Sequence, residues 1–559
     1  MTAFEEIVFV IVIAVGCGFL AHLLRQPVIT GFIFAGLIIG YFEQLQLTHI
    51  GFIEGLASIG VALLLFLVGL EMSIKDWRQI NVLALLVGLG QIIFTFTAGF
   101  LISLALGFGS LASFYIAAAL TLSSTIIVVK ILSEKKDLRS LYGRVVVGIL
   151  VLQDFVAIAL LLFLTGLEPG GGVKDFMSLN GAIALGKALG LIPIVIIASR
   201  ILPRILDAIG RSQEMLYLFS IAWALGVSSL AVLAGLSIEA GGFLAGLALA
   251  NSSEQFQIGI RLRPLRDFFI ILFFVILGIR AFEGLGGVSL SAAGILVAFV
   301  LVISPLIVLL LMSALGYRAR TSFLAGIAVA QVSEFSFIIA ALGARLGHIG
   351  EAEVSLITLV GLTTIFVSSY FIVHNSRLYE LLRPLVKRFE FRRSLVEETP
   401  TGVELSDHVI LIGIHRVGES VMRALSNSTL KFVALDFDPM VVKKLSRIGI
   451  PILYGDITED EVKEKAGMKR AKVVISTVPD FKDNLDLTQE IKKRNPKAKV
   501  VLTAEDEWSA RELYREGADY VLLPHLIGGQ ELARVIGENH DFSGLKELKK
   551  RDLKLIGSA

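Results

Sequence analysis

Between residues 148 and 164 the sequence reads GILVLQDFVAIALLLFL, and inside this apolar run Gln153 and Asp154 stand side by side. Counted from Arg144, the acid lies about ten residues into the run, near mid-depth of a bilayer, where a charge is costly and usually marks an ion path. A helix-end acid snorkelling to the interface is the alternative, and that depth does not suit it. An unpaired carboxylate out of water is a hard oxygen ligand that takes either a proton or an alkali cation. Two more polar clusters interrupt apolar runs. In TLSSTIIVVK (121–130), Thr121, Ser123, Ser124 and Thr125 crowd into five positions. Small-residue packing between helices explains such a cluster taken alone. Beside a buried carboxylate, hydroxyls and unwound carbonyls also complete a cation shell. In AVAQVSEFSFIIA (328–340), Gln331, Ser333 and Glu334 interrupt another run. The expected ion and proton site is therefore Asp154, Gln153, Ser123, Ser124 and Thr125, with Asp154 the direct ligand of K+ or Na+. Gln331, Ser333 and Glu334 are expected in support, offsetting helix ends or bonding to the partner break.

These residues need helices to hold them. The chain has 559 residues, 55% hydrophobic, with a mean hydropathy of +0.78, too apolar for a string of soluble domains. Runs long enough to span a bilayer recur up to about His374. About 13 are expected: 4–24, 28–42, 52–73, 81–107, 110–130, 145–167, 180–203, 214–236, 239–251, 266–282, 289–315, 321–344 and 352–374. Sixteen of the twenty basic residues before Arg377 fall at alternate loops. The exceptions are Lys174, Lys187, Arg280 and Arg345. Basic loops stay in the cytoplasm, so the N-terminus is expected outside and everything after Arg377 inside. The breaks at 121–125 and 331–334 occupy corresponding places in two halves, as an inverted repeat of broken helices predicts. Arg280 reads as an anchor at the outer interface, and Glu71 as the partner of Lys75 at the inner surface. Glu5 and Glu6 precede the first run where a cleaved leader carries basic residues. Cys17 is the single cysteine, which excludes a disulfide framework or a cysteine metal cluster. A net charge of +2 favours no nucleic-acid partner.

The expected domains are a membrane domain over 1–376, an amphipathic linker over 377–404, a Rossmann-like α/β domain over 405–530 and a tail over 531–559. From Asp407 onward strand and helix patterns alternate, which predicts a doubly wound parallel sheet. HVILIGI, RVGESVMRALSN and KFVALDF give strand, glycine-containing turn, helix, strand and acid, the dinucleotide fingerprint. Gly413 makes the tight turn, Gly418 lets helix and strand pack closely, and Asp436 ends the second strand where a ribose binds. The fingerprint's middle glycine is His415, whose imidazole obstructs a pyrophosphate. Arg416 and the helix N-terminus still attract a phosphate. A mononucleotide such as AMP is thus favoured over NAD or NADH. A ligand-free domain serving as a dimer platform is the other reading.

LRQPVITGFIFAGLIIG (24–40), LLLFLVGLEMSIKDW (63–77), LTLSSTIIVVKIL (120–132), LVLQDFVAI (150–158) and PLRDFFIILFFVILGI (264–279) closely resemble, in order, signatures of Kef-type monovalent cation:proton antiporters. LDFDP (435–439) and YGDITEDEV (454–462), with Asp456, resemble the nucleotide-binding regulatory domain (RCK, or TrkA-N) of potassium transporters and channels. The resemblance implies a homodimer in which a six-helix bundle with two crossed broken helices moves against a scaffold. It also implies a Gln-Asp pair typical of the potassium-selective branch, where sodium relatives carry two acids. One titrating carboxylate then exchanges one cation for one proton, electroneutrally. The acidic loop of the glutathione-gated members is basic here (SSEQFQIGIRLRPLRD), against glutathione control. Sodium as the cation is the main alternative. A channel needs a filter loop such as TVGYG, and none occurs; a membrane-anchored oxidoreductase needs no such number of spans. The expected setting is a prokaryotic inner membrane.

Overall fold

The computed structural model describes residues 2–24, 26–42, 49–71, 82–135, 137, 140–165, 200, 202, 206, 212–233, 237–250, 252, 254–317, 319–389, 406–414, 416–436, 439–455, 457, 460–538, 545–546, 548–550 and 553. The chain divides into two compact units, Met1–Phe391 and Arg392–Ala559.

The first unit is helical. Its elements are α1 (Ala3–Leu23), α2 (Val28–Tyr41), α3 (Ile50–Glu71), α4 (Val82–Ala105), α5 (Ser110–Thr121), α6 (Thr125–Glu134), α7 (Leu141–Thr165), α8 (Gln213–Leu233), α9 (Ile238–Leu249), α10 (Gln255–Gly284), α11 (Leu290–Ala298), α12 (Ser304–Ala314), α13 (Ala319–Ala328), α14 (Glu334–Arg345), α15 (Glu351–Val373) and α16 (Asn375–Val386). Among the described residues nine helices are long and apolar enough to cross a membrane. Every expected span falls on a helix or a helix pair except 180–203, almost all of which lies outside the described residues. The expected loop carrying Arg261, Arg263 and Arg266 is instead the first turns of α10, a 30-residue helix that runs on past the apolar stretch.

Helices in lipid gain little from apolar contact alone, so close packing needs small residues. A Cβ on Gly36 of α2 would lie 2.1 Å from the Val275 carbonyl oxygen of α10, and one on Gly278 would lie 2.2 Å from that of Ile33. The two backbones touch there, and glycine alone permits it. α3 packs antiparallel to α10, with an ion pair near each end: Arg280 with Glu54, and Arg263 with Glu71 at 2.7 Å. Glu71 was expected to pair with Lys75. Lys75 lies outside the described residues, and the long-range contact to Arg263 comes from the register of α3 on α10.

The second unit is a six-stranded parallel sheet in the order β3-β2-β1-β4-β5-β6. The strands are β1 (His408–Ile412), β2 (Phe432–Asp436), β3 (Ile452–Tyr454), β4 (Ala471–Ser476), β5 (Lys499–Thr503) and β6 (Tyr520–Leu522). The order reverses at β1, beside β4, which is where doubly wound sheets bind ligands. Helix α17 (Arg416–Ser426) follows β1. Gly413 has φ +80°, and a Cβ on Gly418 would lie 1.9 Å from the Gly413 carbonyl oxygen. The turn and the helix start are thus both built around missing side chains.

Candidate functional site

Two helices of the first unit break in mid-course. α5 ends at Thr121, Leu122 is extended, and Ser124 caps α6 by accepting from the Ile127 N–H at 3.3 Å. α13 ends at Ala328, and Ser333 caps α14 by accepting from the Phe335 N–H at 3.2 Å. Serine favours such breaks because its hydroxyl replaces a lost backbone bond.

The two breaks cross. Ser123 Oγ donates to the Val329 carbonyl at 2.8 Å, and Gln331 Nε2 donates to the Ser124 carbonyl at 3.3 Å. Ser336 Oγ donates to the Ala119 carbonyl at 2.6 Å. Carbonyls freed by one break are therefore satisfied by side chains of the other, as buried backbone groups demand.

α7 brings Gln153 and Asp154 to this crossing in different roles. Gln153 is fully buried and belongs to a closed amide network. Its Oε1 accepts from the Ser123 N–H at 2.9 Å, and its Nε2 donates to Gln91 Oε1 at 2.7 Å. Gln91 Nε2 in turn donates to the Thr121 carbonyl at 3.1 Å. Gln153 thereby pins the first break. Asp154 Oδ2 accepts from Thr125 Oγ1 at 2.8 Å. It presents a carboxylate beside the positive end of α6.

Glu334 stands at the start of α14, 6% exposed. It meets the Ser124 side chain, it is close enough for its charge to act on Asp154, and its Oε2 has no hydrogen-bond partner among the described residues. The crossing thus holds two carboxylates, two capped helix starts and an array of hydroxyl and carbonyl oxygens. That set suits a monovalent cation or a proton, and all eight residues expected at the crossing meet there.

Sequence reading missed three supporting residues. Gln91 ties Gln153 to the first break; Ser368 Oγ donates to Gln331 Oε1 at 2.9 Å; Thr364 Oγ1 accepts from the Val332 N–H at 3.4 Å. Gln91 is a lone polar residue in an apolar run, the kind of signal that exposed Asp154, whereas Thr364 and Ser368 each stand beside a second hydroxyl residue, Thr363 and Ser369, in α15.

In the second unit, Asp436 ends β2 as expected from the strand pattern. Its Oδ2 accepts from the Ile414 N–H at 2.7 Å, so the carboxylate expected at a ribose closes the glycine turn here. Arg416 starts α17; His415 and Asp456 lie outside the described residues.

The profile described as "Sodium/hydrogen exchanger, transmembrane" matches residues 9–374, and that of the TrkA-N domain matches 409–524. The putative cation/proton antiporter YbaL of Escherichia coli is 27% identical, over 94% of this chain and 95% of its own. The putative K(+) efflux antiporter KefB of Alkalimonas amylolytica is also 27% identical, over 90% of this chain and 77% of its own. The structure of the sodium proton antiporter MjNhaP1 from Methanocaldococcus jannaschii superposes with a TM-score of 0.52 at 16% identity, covering 69% of this chain and 99% of that one; this likeness is one of fold. With broken helices crossed at a lone aspartate and these matches along its length, the chain belongs to the sodium/hydrogen exchanger family, as a multi-pass cation/proton antiporter of the Kef type with a TrkA-N domain.

Proposed function

We propose that the chain exchanges potassium for a proton at Asp154, one for one. The observation that carries this reading is the Thr125–Asp154 contact at the crossing of the two breaks: the acid is held in place yet keeps an oxygen for a passing ion. Proton and cation compete for the same carboxylate, so each half-cycle carries one or the other. With one acid titrating and Glu334 retained as the counter-charge of the helix starts, no net charge crosses and membrane potential does no work. Potassium as the cargo is supported by Gln153 beside the acid and by relatives named as K(+) efflux antiporters. Sodium is the second reading, favoured by the fold likeness to a sodium proton antiporter.

Alternating access follows if the elements holding the crossing, α4–α7 and α12–α15, shift as one body against α1–α3 and α8–α10, in a homodimer. The N-terminus then lies outside a prokaryotic inner membrane and the TrkA-N domain in the cytoplasm. There an adenine nucleotide such as AMP is the proposed effector, its phosphate at the start of α17 with Arg416, and its ribose near Asp436.

Reconstitution into vesicles with an internal pH dye tests the exchange. Potassium, rubidium and sodium gradients are applied to the wild type and to Asp154→Asn. Potassium-driven pH change that disappears in Asp154→Asn and ignores an imposed membrane potential is the expected result. A rate set by membrane potential overturns the electroneutral cycle, and an unaffected Asp154→Asn protein overturns the site.

A further inference from the structure

The two basic residues of the described first unit that depart from the alternating charge pattern, Arg280 and Arg345, come together at one end of the helix bundle. Arg280 is near the end of α10 and Arg345 ends α14; Glu54, Glu239 and Glu351 are near the starts of α3, α9 and α15. All five line one cavity of about 350 Å³, room for roughly ten waters at about 30 Å³ each.

Its charges are unequal in number and in burial. Arg280 pairs with Glu54 and, at 3.2 Å, with Glu351. Arg345 pairs with Glu239 through Oε1. Glu239 is 3% exposed while Arg345 is 49% exposed, and Glu239 Oε2 has no hydrogen-bond partner among the described residues. A purely structural ion pair at this depth satisfies both oxygens, because a half-paired buried carboxylate is expensive. Among the described residues, three acids against two guanidiniums leave the lining one negative charge in excess, and a concave, low-dielectric wall focuses that field on small cations.

The cavity also points along the helix that carries the crossing. Ile338, Ala341 and Arg345 of its wall follow Glu334 at helical spacings of four, seven and eleven residues. They share one face of α14, so the wall leads back, over about 16 Å of helix, to the second carboxylate with an unpartnered oxygen.

We propose that this cavity is a vestibule that binds a monovalent cation on Glu239, in competition with the Arg345 guanidinium. Arg345 acts as a tethered counter-cation: an entering ion takes the free Oε2 and loosens the guanidinium from Oε1. This deepens the exchange reading above, since it supplies the cation to the crossing from one face of the membrane.

The test separates the vestibule from the exchange site by removing the latter. Purified full-length Asp154→Asn protein in detergent is heated at about pH 8, above the ordinary carboxylate range, with potassium chloride or choline chloride at equal ionic strength. Potassium is expected to raise the midpoint by about 2–4 °C at saturation. Adding Glu239→Gln should remove the shift, and adding Arg345→Gln should produce it at several-fold lower potassium. No potassium-specific shift in Asp154→Asn, or one that survives Glu239→Gln, overturns the vestibule. If Glu239→Gln does not fold, the Arg345→Gln arm decides: an unchanged potassium dependence overturns the proposal. Wild-type vesicles that fail to exchange ions overturn the exchange reading instead, and leave this measurement standing by itself.

Discussion

Ser123 Oγ and the Val329 carbonyl oxygen, 206 residues apart in sequence, lie 2.8 Å apart and tie the first helix break to the second. The bond is buried. Ser123→Ala removes the bond between the breaks and leaves the Val329 carbonyl only the Gln331 N–H at 2.9 Å, a loss of about 0.5–1.5 kcal/mol. The expected result is a lower thermal midpoint in detergent with transport reduced but present. An unchanged midpoint would show that the crossing does not depend on this bond.

Thr125 offers a finer test of the ion site. Thr125→Val keeps the shape and removes the hydroxyl that donates to Asp154 Oδ2. Losing a hydrogen bond to a charged group costs about 1.5–3 kcal/mol, and about 1.4 kcal/mol is tenfold. Vesicle assays should therefore show transport depressed by roughly one to two orders of magnitude. A rate within about twofold of the wild type would contradict this role.

Glu334→Gln separates ligand from support. If Glu334 offsets the helix starts, the amide keeps the fold and exchange stays electroneutral at a lowered rate. If it carries a proton of its own, the wild type responds to membrane potential and the variant does not. Proton flux under a potassium diffusion potential distinguishes the two.

In the second unit, burial pushes the His408 imidazole below its usual value. Its Nε2 bonds to the Ala466 carbonyl at 2.8 Å, and Nδ1 is buried without a hydrogen-bond partner among the described residues. A histidine held neutral when folded contributes stability above its unfolded value of about 6.5, and that contribution is lost as pH falls below it. Hydrogen exchange at the β1 amides of the full-length protein, corrected for intrinsic rates, should report loosening between about pH 7 and pH 5. His408→Phe should flatten that dependence; an identical slope would assign it elsewhere.

Gly418→Ala places a methyl 1.9 Å from the Gly413 carbonyl oxygen, a clash with backbone that no rotamer relieves. A loss of about 1–3 kcal/mol confined to the TrkA-N unit is expected, read as faster exchange in β1 and α17 while the membrane helices keep their protection.

Much of this protein was legible from residue order alone. A bilayer gives no water to an unpaired polar group, so Asp154, the hydroxyls around Ser124 and the Gln331–Glu334 cluster stood out against apolar runs wherever they occurred. Alternating strand and helix patterns with Gly413 and Gly418 gave the doubly wound sheet, because those periods and that turn are local. Only the tertiary structure decided which polar groups satisfy one another. Gln91 with Gln153, Ser368 with Gln331, and Arg345 with Glu239 are bonds between helices distant in sequence. Asp436 likewise turned to the Ile414 amide. No local pattern encodes such partnerships: they depend on how the helices cross and in what register, which close backbone packing at residues such as Gly36 and Gly278 sets.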